Sequence, residues 1–206
     1  MINNFNRLNS YSYGINLIPK NEVDTDIENK MKNLTDILIK KKEKSVNLKD
    51  KGDLNKIGIA LYEQGKYLEA EEYYMKALEI DSLFKAAINN LGNTLRRQKK
   101  YSKALINYRK VLEIDPLSKV AYNGIGNTYD CMKKFDEAIE NYKKAIEIDS
   151  NYKGAYNNMG KALENKKQFK EALICYHKAL ELDSEDKIAK KNLIRCQDNI
   201  VSESVL

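Results

Sequence analysis

The chain has 206 residues, 42% hydrophobic and 32% charged, with 9 Gly, 2 Pro, 3 Cys, 1 His and no Trp. That is room for one domain or two with a real core, and so few glycines and prolines leave little for a loop-rich β fold. Nothing approaches the roughly 18 apolar residues of a membrane span, the first twenty residues lack a signal peptide's apolar stretch, and a helical, cytoplasmic protein is the expectation.

Net charge is +6, with an excess of two positive charges in each of 1–50, 51–186 and 187–206. So even a spread is not the clustered footprint of a nucleic-acid binder. Cys131, Cys175 and Cys196 are odd in number and far apart, without a CxxC pair. Neither a disulfide frame nor a zinc site follows from them.

In chain order, residues 1–24 mix Asn, Ser and Tyr without periodicity and read as a mobile segment. Segment 25–50 opens on Thr25 with Glu28 three residues later, a capping box. Ile27, Met31, Leu34 and Leu38 then form one narrow apolar stripe, which predicts an amphipathic flanking helix from about 26 to 44.

From residue 51 the sequence repeats itself. Gly58, Gly92, Gly126 and Gly160 are 34 residues apart, as are Ala70, Ala104, Ala138 and Ala172, and Tyr74, Tyr108, Tyr142 and Tyr176. Four units follow: 51–84, 85–118, 119–152 and 153–186. In the second, Ile88, Leu91, Gly92 and Leu95 share one helical face, and Ala104, Leu105, Tyr108, Val111 and Leu112 share another. Asp115-Pro116 ends the second helix, because proline cannot continue it. Glycine inside a helix costs about 1 kcal/mol relative to alanine. Four in register therefore predict a close helix crossing.

The period, with Leu91-Gly92, Ala104, Tyr108 and Pro116, resembles the tetratricopeptide repeat (TPR). This chain departs from its pattern in having Leu54, Ile88, Tyr122 and Tyr156 in place of the first Trp. The resemblance implies an all-α, right-handed α-solenoid with a concave groove lined by first helices. After it, Ala189, Leu193, Cys196 and Ile200 predict a capping helix over 187–200, covering the open end of the solenoid. Residues 201–206 read as a fraying tail.

No enzyme constellation emerges. The one histidine, His177, shares its column with Met75, Arg109 and Lys143 and reads as surface. With a single histidine there is no His-paired nucleophile or multi-His metal centre. Gly124-Ile125-Gly126 falls inside a helix, without the strand that a phosphate loop requires. Glu79, Glu113, Glu147 and Glu181 recur with the repeat and read as a structural column. No cofactor, metal or small-molecule substrate is expected.

Candidate binding residues lie on the first helices, at positions expected to face neither the partner helix nor the next repeat. They are Asn89, Asn90, Asn93, Arg96 and Arg97 in the second unit, Asn123 and Asn127 in the third, and Asn157, Asn158 and Lys161 in the fourth. Asparagine both donates and accepts, so stacked columns of it suit a peptide backbone. The same residue also merely keeps a helix wet, and the flanks are Asn-rich too. Some TPR domains hold a C-terminal carboxylate in a five-residue clamp. Those columns here read Asn55, Ile59, Asn90, Val120 and Gly124, or one repeat later Asn89, Asn93, Gly124, Gly154 and Asn158, and only one residue fits in each. Lys99, Lys100 and Lys103 form a basic turn beside Arg96 and Arg97, and only the two arginines are expected in the groove, where they suit a ligand carboxylate. The expected function is a non-catalytic scaffold binding a peptide segment of a protein partner, an acidic one being suited to the two arginines. The alternatives are self-assembly through the chain's own N-terminal helix and an RNA-binding solenoid, the latter disfavoured by the charge spread and few groove aromatics.

Overall fold

The computed structural model describes residues 50–204. Segment 1–24, nearly all of 25–50 and the last two residues of the tail lie outside the described residues. Eight helices form four antiparallel pairs: α1 (Lys51–Glu63) with α2 (Tyr67–Ile80), α3 (Lys85–Arg97) with α4 (Tyr101–Ile114), α5 (Lys119–Cys131) with α6 (Phe135–Ile148), and α7 (Lys153–Asn165) with α8 (Phe169–Leu182). The last described helix is α9 (Lys187–Ser204), which runs past 200 into the segment expected to fray. Lys187 stands 34 residues after Lys153, so α9 enters in the register of a fifth first helix.

Each second helix packs on the first helix of its own pair and on the first helix of the next. Successive first helices also touch one another, and second helices show no comparable run of contacts. The array therefore bends with α1, α3, α5, α7 and α9 on its inner side.

The glycine column is a contact column. A Cβ added at Gly58, Gly92, Gly126 or Gly160 would meet the ring of Tyr74, Tyr108, Tyr142 or Tyr176 at 2.5, 2.8, 2.5 and 2.6 Å. Those four tyrosines are essentially fully buried, as are Ala70, Ala104, Ala138 and Ala172. Aromatic ring against bare backbone is what holds each pair together.

Each second helix ends at an aspartate whose carboxylate takes a lysine from the first residue of the preceding first helix. The pairs are Lys51–Asp81, Lys85–Asp115 (3.0 Å), Lys119–Asp149 and Lys153–Asp183 (2.6 Å). Hydrogen bonding from the lysines holds all four aspartates below the usual carboxylate range. The turn within each pair has a left-handed residue, Gly65 in the first and Lys99, Lys133 and Lys167 in the others. Its neighbour closes the helix with a six-residue return bond, for example Lys134 N–H to Tyr129 O at 2.9 Å. The glutamate column 79, 113, 147 and 181 is exposed, and so is His177. Among the described residues no helix is long and apolar enough to cross a membrane.

Candidate functional site

The asparagine columns are more internally committed than the sequence suggested. Asn90 donates its amide to Asn55 Oδ1, and Asn158 to Asn123 Oδ1, both at 3.0 Å. These bonds join successive first helices, so the positions do face the neighbouring repeat. Asn89 would pair in the same way with residue 124, but that residue is Gly124, and a Cβ there would meet the Tyr108 ring at 2.4 Å. Asn89 Oδ1 is left buried with no partner. Asn157 donates to Asp186 at 3.3 Å, and its own Oδ1 is buried without a partner.

Asn93 and Asn127 face the partner helix. Each Oδ1 accepts the hydroxyl of the buried tyrosine behind it, Tyr108 to Asn93 and Tyr142 to Asn127, both at 2.8 Å. Because the oxygen is held, the Nδ2 group is turned the other way, with no partner for it among the described residues. Burial pushes Tyr108 up to about 12 against the pull of Arg96 beside it. Tyr142 is raised further by burial and by the charge of Asp130.

The two arginines separate. Arg97 is exposed and lies over the Tyr67 ring, 5.4 Å from its centroid, with Nε and Nη2 donating to the Tyr67 hydroxyl at 2.9 and 2.8 Å. Its Nη1 has no partner among the described residues. Arg96 is half-buried, with Nη1 on Cys131 Sγ at 3.9 Å and Nε buried without a partner. Lys161 is exposed and reaches Asp130 at 3.7 Å. Lys100 is taken by Glu71 of α2 at 3.1 Å.

At the C-terminal end the groove position is closed by the chain itself. Glu164 of α7 accepts from Arg195 and Asn199 of α9 and from the Tyr176 hydroxyl. The sequence reading missed this cluster. Its signal was Arg195, which falls 34 residues after Lys161, in the groove column of a fifth first helix.

Tetratricopeptide-repeat family models match residues 53–116, 120–152 and 154–186. No curated protein sequence matches the chain. Among solved structures it is similar to a crystal structure of MamA, 26% identical over 77% of this chain and 94% of that one, with TM-score 0.61. It is also similar to MamA 41-end from Desulfovibrio magneticus RS-1, 27% identical over 68% and 78%, with TM-score 0.57. A third is the first TPR of Spaghetti (RPAP3) bound to the HSP90 peptide SRMEEVD, 26% identical over 59% and 96%, with TM-score 0.54. With family models covering well over half of its length and matching in all four units, the chain belongs to the tetratricopeptide-repeat family, a family of protein-interaction folds.

Proposed function

We propose that the chain is a non-catalytic scaffold that holds an extended peptide segment of a partner protein along the inner face of its first helices. The observation that carries this reading is the pair Asn93 and Asn127. Each has its oxygen tied to a buried tyrosine and its amide donor turned away from that tyrosine. Donors fixed in this way lose little freedom when they take a peptide carbonyl. Asn55, Asn90, Asn123 and Asn158 then set the spacing between first helices and are not the main ligand contacts. Arg97, with its guanidinium fixed on Tyr67 and Nη1 open, suits an acidic residue of the ligand. Peptide capture by a similar structure, the RPAP3 repeat domain, supports the class of ligand and not its sequence.

The test begins with capture of a partner on the purified full chain, followed by calorimetry. Asn93→Asp with Asn127→Asp keeps an acceptor for each tyrosine and removes both donors. Two lost bonds of about 0.5–1.5 kcal/mol each lower affinity by at least about fivefold. Lys110→Ala and Lys144→Ala on second helices leave it unchanged. Equal affinity of the double variant, the two controls and the wild type moves the site off the inner face.

A further inference from the structure

The four buried tyrosines are not equivalent. Three have an acceptor supplied by their own repeat: Tyr108 uses Asn93, Tyr142 uses Asn127 and Tyr176 uses Glu164. The fourth, Tyr74, is 1% exposed, and Ile59 stands in the column that supplies Asn93 and Asn127. Its hydroxyl has no hydrogen-bond partner among the described residues. Instead of an asparagine there is a cavity of about 260 Å³, lined by Ile59, Tyr62, Glu63, Tyr74, Asn90 and Asn93. Burial, with Tyr62 and Glu63 nearby, raises the Tyr74 pKa, so the hydroxyl keeps its proton and stays a donor.

The walls define what fits. Ile59 and the Tyr62 and Tyr74 rings are apolar and suit a short aliphatic stem. Asn93 adds a second donor through Nδ2, because its oxygen is already taken by Tyr108. Asn90 adds an acceptor through Oδ1, because its amide is taken by Asn55. Glu63 stands at the cavity with its negative charge, and among the described residues no Lys, Arg or His lines it. Two donors, one acceptor and a neighbouring carboxylate match a neutral carboxamide and disfavour a second carboxylate.

We propose that this cavity between α1 and α3 is a specificity pocket for a glutamine side chain of the bound segment, whose carbonyl oxygen supplies the acceptor that Tyr74 lacks. The proposal rests on the groove reading above, yet it is tested without the partner.

Butanamide carries the end of a glutamine side chain; butyrate and butan-1-ol have the same stem with a charge or a hydroxyl. Each is titrated into the full ¹⁵N-labelled chain and followed by two-dimensional NMR. Butanamide shifts the Asn93 side-chain amide and the backbone of Ile59–Glu63 with a millimolar Kd, about fivefold tighter than either analogue, the worth of one hydrogen bond. Ile59→Asn gives Tyr74 its own acceptor and abolishes the shifts, and Tyr74→Phe removes the donor and restores parity among the three probes. Melts of both variants establish that they remain folded. Equal binding of the three probes, tighter binding of butyrate, persistence of butanamide preference in Tyr74→Phe, or no binding at all overturns the proposal. Asn93 is common to both sites, but Asn127 does not line this cavity, so the pocket can fail while the groove donor at Asn127 stands.

Discussion

Arg195 grips Glu164 with both arms of its guanidinium, Nε to Oε1 at 2.9 Å and Nη2 to Oε2 at 2.8 Å. The bond spans α9 and α7, two first helices of the array, so it fixes the terminal helix to the repeat it covers. Asn199 and the Tyr176 hydroxyl complete the set at 3.0 and 2.9 Å. The Glu164 side chain is only 9% exposed. A carboxylate buried this far is tolerable because four donors meet it.

Removing one side of that cluster leaves the other uncompensated. Arg195→Ala is expected to cost more than an exposed pair's 0–1 kcal/mol, approaching about 3 kcal/mol, because Glu164 loses its charge partner while its side chain stays largely buried. Chemical denaturation of Arg195→Ala beside Lys144→Ala, which breaks the exposed Lys144–Glu140 pair, measures the difference.

The same cluster predicts an acid limb. Burial alone raises the Glu164 pKa; Arg195 first, then Tyr176 and Asn199, outweigh it and hold the group below its ordinary value. Asp81, Asp115, Asp149 and Asp183 are lowered too. A folded-state pKa below the unfolded one stabilises above the unfolded value and loses that contribution as pH falls through the folded one. Melting temperature is therefore flat above about pH 5 and falls below about pH 4, where unfolded carboxylates begin to take up protons. Glu164→Gln starts lower at neutral pH and falls less steeply.

The repeat turns contain stored strain. Lys133 sits at φ 59°, in the region an L side chain avoids and glycine accepts, while the first repeat has Gly65 there at φ 76°. Lys133→Gly is expected to stabilise by about 1 kcal/mol, and Gly65→Lys to destabilise by a similar amount. Thermal melts of the two single variants check both signs.

Glycine inside the helices behaves oppositely according to its neighbour. At Gly126 a methyl group would meet the Tyr142 ring at 2.5 Å, whereas at Gly154 the nearest atom is Tyr152 at 3.8 Å. Gly126→Ala should lose about 1–3 kcal/mol to overpacking, and Gly154→Ala should be neutral or gain up to about 1 kcal/mol in helix propensity. Denaturation midpoints for the pair separate contact from conformational freedom.

The repeat fold was legible because helix pairing by ring and glycine needs the same residues at the same places in every unit. Gly92 and Tyr108 recur in sequence for the reason that they touch in space. The register of α9 was half legible: Lys187 and Arg195 continue the columns, but Ile194 stands where glycine would be, so the repeat pattern breaks and the Glu164 cluster passed unseen. The asparagine columns misled in part. A donor and acceptor on one short side chain can serve a ligand or a neighbour, and only geometry distinguishes Asn90, which bonds Asn55, from Asn93, which bonds Tyr108. Arg97 is likewise fixed by Tyr67, a residue 30 positions away that no local pattern connects to it.

That distinction makes the tyrosine hydroxyls a direct check on the site. Tyr108 donates to Asn93 at 2.8 Å inside a fully buried contact. Tyr108→Phe keeps the ring against Gly92 and Gly124 but leaves Asn93 Oδ1 without its donor, so it should cost about 1 kcal/mol. Tyr142→Phe should cost the same through Asn127. Tyr74→Phe removes a buried hydroxyl that no described residue satisfies, so its melt should match or exceed that of the wild type. The ring contact is common to all three, against Gly58, Gly92 and Gly126, and a difference between them therefore reads the hydroxyl alone. Equal losses at all three positions would mean that the Tyr74 hydroxyl already has a partner, and the pocket beside Ile59 would lose its reason to bind.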